Sequence, residues 1–191
     1  MKKFTVQYRR KAEGKTDYRQ RIRLLLSKKL RLVIRKSLKN ITLQVIDFTP
    51  VGDKVLVAAN SRDLVKHGWK GNTNNLPACY LCGFLLGKKA QKKKVGECIL
   101  DIGMQTSVKG CALYAALKGA IDAGLKVAHS KEIFPNDKRI KGEHITAYAK
   151  LLKADKTKFD RHFAGHIKRK LDAENLTAHF TEMKAKIEAE K

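Results

Sequence analysis

Forty-two lysines and arginines stand against 18 aspartates and glutamates, a formal charge of +24 (42 − 18) that any compact state of this chain must accommodate. Self-repulsion of that size is tolerated when a polyanion neutralises it, and nucleic acid is the common polyanion. A membrane surface usually calls for one basic amphipathic helix, whereas here the charge runs throughout the chain. The length suits one ordinary domain with a real core and an appendage or two. The excess is uneven. Residues 1–40 hold 15 Lys and Arg but only Glu13 and Asp17, a net of +13 (15 − 2).

Targeting and membrane readings fail early. Met1-Lys2-Lys3 is followed by Gln7, Arg9, Arg10 and Lys11 rather than by an apolar run, so no signal peptide is expected. The longest uncharged stretch, 71–87, is short and carries Asn72, Asn74 and Asn75, which excludes a bilayer span. A cytoplasmic protein is expected, and Cys79, Cys82, Cys98 and Cys111 are then not a disulfide framework.

The pattern along the chain predicts an α/β fold with a mixed sheet. Residues 1–29 form a basic arm, with 1–20 extended and a short helix over 21–29 that sets Ile22, Leu25 and Leu26 on one side. The core spans 30–130. Strands are predicted at Arg31–Arg35, around Ile41, Leu43 and Val45, and at Val55–Ala59; short connections make them an antiparallel meander. A helix opens at Asn74 or Asn75 with Pro77 in its first turn and Leu81, Phe84 and Leu85 on one face. Glu97–Ile102 reads as a strand. A helix over 109–123 carries the stripe Leu113, Ala116, Leu117, Ala120 and Ile121, with Gly124 at C′. Leu125–Ala128 reads as a closing strand parallel to Glu97–Ile102. Residues 131–191 form a helical extension, with segments near 142–153, 157–172 and 176–189.

Several blocks, in order, resemble one family. They are Tyr8-Arg9-Arg10-Lys11-Ala12-Glu13-Gly14-Lys15-Thr16-Asp17-Tyr18; Thr73-Asn74 with Ala78, Tyr80, Gly83, Leu85 and Leu86; Leu100-Asp101-Ile102-Gly103; Ala116-Leu117-Lys118-Gly119-Ala120 with Asp122, Gly124 and Leu125; and His129-Ser130 with Phe134-Pro135. The chain is identified by them, over about residues 4–135, as a member of the large-subunit ribosomal protein family that bacteria number eighteen and eukaryotes number five. The extension makes it longer than bacterial members and shorter than eukaryotic ones, which suggests an archaeal type. The resemblance implies 5S rRNA binding, contact with 23S rRNA, a place in the central protuberance among neighbouring large-subunit proteins, and no cofactor or small-molecule substrate.

Three regions are candidates for RNA contact. In the arm, Arg9, Arg10, Lys11, Lys15, Arg19, Arg21 and Arg23 suit phosphates, and Tyr8 and Tyr18 suit base stacking; the bland alternative is a solvated tail. The hairpin loop offers Arg35, Lys36, Lys39 and Asn40, or else is a charged surface turn. The loop 67–73 offers Trp69, Lys70, Asn72 and Thr73; Trp69 either stacks on RNA or packs under the arm. Thr16 and Asn74, inside the matched blocks, complete the set. The run Lys88–Lys94 either serves its helix C-terminus or meets 23S rRNA.

Other chemistry is declined. Gly14-Lys15-Thr16 lacks the upstream glycine and strand of a P-loop. Cys79 and Cys82 have metal-ligand spacing but sit in an apolar helical run, so no metal is expected. A nuclease would need three or more of Asp47, Asp53, Asp63, Glu97, Asp101 and Asp122 to converge; Asp101 is read instead as a structural hydrogen-bonding group. No enzyme activity is expected.

Overall fold

Alternation of apolar and polar residues builds the sheet. The structure, a computed structural model, describes residues 5–189, so the Met1-Lys2-Lys3 start lies outside the described residues. After α1 (Arg9–Ala12) and α2 (Tyr18–Leu26) come β1 (Leu30–Lys36), β2 (Ile41–Thr49) and β3 (Gly52–Asn60). These form the expected antiparallel meander, and β4 (Cys98–Asp101) adds in parallel to β1, giving the order β3-β2-β1-β4. Leu32, Ile34, Ile41, Leu43, Val45, Val57 and Ala59 point into one core. Arg31, Val33, Gln44 and Ile46 belong to the opposite face, which the arm covers.

The core face packs on α4 (Leu76–Lys92) and α5 (Ala112–Asp122), with the short α3 (Asp63–Lys66) before them. Asn75 caps α4, its Oδ1 accepting from Ala78 N at 3.0 Å. From Pro77 to Gly87 every residue of α4 is buried, because sheet, α5 and extension surround it. The two helices approach closely at two glycines: a Cβ on Gly83 would lie 1.9 Å from Ala116 O, and one on Gly119 would lie 2.1 Å from Tyr80 O. Helix α5 ends as expected at Gly124 (φ +96°), with Leu125 N donating to Ala120 O and Gly124 N to Ile121 O.

Two expectations need correction. Leu125–Ala128 is not a strand: only Val127 bridges β4, in parallel to Cys98, with Cys98 N donating to Lys126 O. Leu125 and Val127 do alternate inward, but the ladder ends after that one bridge. The arm is also not extended to residue 20. Asp17 accepts from Arg19 N at 2.9 Å and Gln20 N at 3.2 Å and so starts α2 at Tyr18, three residues early. Leu24 and Leu25 are its half-buried leucines, while Ile22 and Leu26 are exposed.

The extension contains α6 (Asp137–Lys141), α7 (Glu143–Leu152), α8 (Lys156–Lys168) and α9 (Leu176–Ala189). Leu176, Phe180, Met183 and Ile187 join the main core. A smaller cluster of Ala149, Phe163 and Ala173 holds α7, α8 and the turn before α9 together.

Candidate nucleic-acid interface

Helix α2 is fastened to the sheet by charge. Arg21 Nη2 reaches Asp53 Oδ1 at 2.8 Å, and Arg31 bridges Asp53 (2.7 Å) to Asp101 (3.2 Å). Arg35 closes the chain on Asp101, 2.8 Å from Oδ1 and 2.7 Å from the main-chain oxygen. Asp101 Oδ1 also accepts from Gly103 N at 2.9 Å. Three arginines thus surround two carboxylates, and Arg31 is 3% exposed. Burial alone would raise the Asp53 carboxyl; the hydrogen bonds from Arg21 and Arg31 outweigh it and hold that group below its ordinary value. Bonding to Asp53 in turn raises Arg21.

A cleft of about 580 Å³ remains between arm and sheet, lined by Arg10, Lys15, Thr16, Arg21, Arg31 and Arg35 among others. Arg10 Nε donates to Thr16 Oγ1 at 2.9 Å. Arg9 and Lys15 share Glu13, each at 2.8 Å, and Lys15 foremost and then Arg9 hold its carboxyl below the usual range. Arg10, Lys11, Arg19 and Arg23 are exposed and have no carboxylate partner among the described residues. Tyr8 and Tyr18, the pair that would stack on bases, touch each other here in a tilted arrangement, centroids 5.0 Å apart at 38°, with Tyr8 largely exposed.

The hairpin loop between β1 and β2 is braced from below. Thr73 Oγ1 donates to Lys39 O and Asn74 Nδ2 to Leu38 O, both at 2.7 Å. Thr73 and Asn74 therefore position the loop, while Lys36 and Lys39 stand exposed upon it. Asn40 sits at its base, its main-chain oxygen accepting from Ser37 N at 2.8 Å. Asn72 O accepts from Trp69 Nε1 at 3.1 Å.

Trp69 is a correction. It is 1% exposed and packs within the main core, so its ring is neither presented at the surface for stacking nor placed under the arm. Its ring stacks on His179 of α9, centroids 5.0 Å apart at 14°. Lys70 remains exposed, and its N–H donates to His179 Nε2 at 3.1 Å. Of the run after α4, Lys89 and Lys93 turn back onto the carbonyls of Ala58 and Leu56, a structural use of two of its cations.

The remaining groups also have clear roles. Cys79 and Cys82 are buried in α4, and burial pushes the Cys79 thiol up to about 12 and Cys82 upward too, which keeps both protonated and apolar in character. Of the six core acids, Asp53 and Asp101 share Arg31, and each is bonded to a further arginine. Asp122 accepts from Tyr80, Asp63 from Asn60 N, and Glu97 pairs with Lys29. The arginine–aspartate chain linking arm, β1, β3 and β4 was the functional feature missed in the sequence. Its members lie 22 to 70 residues apart, beyond the reach of any local pattern.

A sequence model of one protein family, described as "Ribosomal large subunit proteins 60S L5, and 50S L18", matches residues 2–96 and 88–130. The match therefore takes in the arm, the sheet, α4 and α5, and ends where the helical extension begins.

Proposed function

Because the chain belongs to the family of large-subunit ribosomal proteins 60S L5 and 50S L18, we propose that its arm and braced loops hold 5S rRNA and fasten it to 23S rRNA in the central protuberance. Neighbouring large-subunit proteins there complete its partners, and its role is structural rather than catalytic.

The observation that carries this reading is the docked arm. Arg10, Lys11, Arg19 and Arg23 project from a segment already fixed to the sheet through Arg21 and Asp53. A positioned row of cations loses less conformational freedom on meeting a phosphate backbone than a loose tail does. Arg9 and Lys15 exchange one exposed carboxylate, Glu13, for phosphate at small cost, since exposed pairs contribute little. Each phosphate contact releases counterions and adds roughly 0.7 to 0.9 to the log–log salt slope.

The test replaces Arg9, Arg10, Lys11 and Lys15 by Ala and measures filter binding to isolated 5S rRNA across a salt series. The slope should flatten by about three contacts or more, with the core still folded. Wild-type binding that stays flat between low and moderate salt would refute the proposal.

A further inference from the structure

We infer that the C-terminal extension completes a second RNA-backbone surface, made jointly by the end of α8, the 67–75 loop and the β1–β2 loop. The inference rests on the RNA-binding reading above and extends its braced loops to the end of α8, leaving the arm aside.

Side-chain bonds tie the three segments together in sequence. The β1–β2 loop is held by Thr73 and Asn74 at Lys39 O and Leu38 O. Two residues before Thr73, Gly71 O accepts from Arg169 Nη1 at the end of α8. Next to Gly71, Lys70 N donates to His179 of α9, whose ring lies on Trp69. Trp69 Nε1 closes the loop on Asn72 O. Lys170 then takes a left-handed turn (φ +54°), with Lys170 N donating to Ile167 O and Leu171 N to His166 O, which ends α8 beside the loop.

Charge on this strip is uncompensated. Lys39, Lys70, Lys168 and Lys170 are exposed, and none has a carboxylate partner among the described residues. The contrast with the arm's inner side is informative: there Arg21 and Arg35 are each satisfied by an aspartate. The four lysines are carried on mutually braced segments, so a phosphate backbone can pair with them, releasing counterions, without further ordering of the main chain. Lysine, a compact point charge, suits sequence-independent phosphate contact of this kind.

The test substitutes Lys39→Gln, Lys70→Gln, Lys168→Gln and Lys170→Gln together in the full chain. Arg169 is kept because it holds Gly71. Salt-dependent filter binding is measured with two probes, 5S rRNA and a 23S rRNA transcript, and emission of the single tryptophan, Trp69, verifies that the loop stays packed. The slope should fall by about three for at least one RNA, with binding on the order of a hundredfold weaker near 0.15 M salt. The affected probe identifies whose backbone the strip holds. If the variant binds both RNAs with wild-type slopes while the arm variant loses 5S rRNA, this inference is overturned and the arm reading stands; the strip would then belong to an acidic protein surface. A wild type that binds neither RNA overturns both.

Discussion

Replacing Gly83 by Ala tests the contact on which the core depends. Two effects of opposite sign compete. Alanine in a helix interior is favoured over glycine by about 0.8 to 1 kcal/mol. Against that, the new Cβ would stand 1.9 Å from Ala116 O, a main-chain atom of a buried helix that no rotamer change can move aside. Helices α4 and α5 must part by more than about 1 Å to relieve the overlap, loosening side chains packed on both, and overpacking of this kind costs about 1 to 3 kcal/mol or more. The steric cost wins: with a main-chain atom in the way the upper end applies, and subtracting the propensity gain leaves a net destabilisation of about 2 kcal/mol. For a chain of this size, each kcal/mol moves Tm by roughly 2 to 4 °C, so circular-dichroism melts should show a fall of about 4 to 8 °C. Gly165 in α8 supplies the opposing control. No atom lies within 4 Å of the Cβ it lacks, so Gly165→Ala should raise stability by about 0.5 to 1 kcal/mol. Equal shifts of the same sign in the two variants would refute the close-approach argument.

The other expectations concern the arm lock and the buried indole. Asp53→Asn should destabilise by about 2 kcal/mol at neutral pH, because Arg31 is left buried with one carboxylate. Asp53 is held below its ordinary value when folded, so its contribution is full above the unfolded carboxylate pKa and is lost as pH falls through the folded one. Urea midpoints of wild type and variant should therefore converge below about pH 4, and a gap constant down to pH 2 would count against the lock. Trp69→Ala should cost about 3 to 5 kcal/mol, read from urea unfolding. Truncation after Lys170 should shift Trp69 emission to the red, since α9 supplies the ring that covers it; native emission already typical of an indole in water would contradict its burial.

What local pattern can encode, the sequence displayed. The β1–β2–β3 meander follows from two-residue alternation, and α5 from its apolar stripe and Gly124, all set by neighbours within a few positions. The cap at Asp17 was equally local, yet the absence of a core stripe before Leu24 hid the helix it starts. Trp69 was misread because glycines and lysine surround it in sequence, whereas its packing partner, His179, lies 110 residues away. The arm's cations were visible as residues, but their division into outward-facing and lock-forming sets was not. That division depends on Asp53 and Asp101, each placed by a different strand.

The burial of Trp69 and Tyr80 against α9 also fixes an order of events during synthesis. Phe180, Met183 and Ile187 belong to the same core as Leu32 and Leu81, so that core is incomplete until nearly the last turn of helix has left the exit tunnel. The arm, with Arg9 to Arg23, emerges about 160 residues earlier, which at 5 to 20 residues per second is a lead of roughly 8 to 30 s. Throughout that interval the nascent chain exposes its most basic segment while the apolar faces of α4 and the sheet still lack part of their cover. Exposed cations and uncovered apolar faces are thus presented at the same time, on the same growing chain.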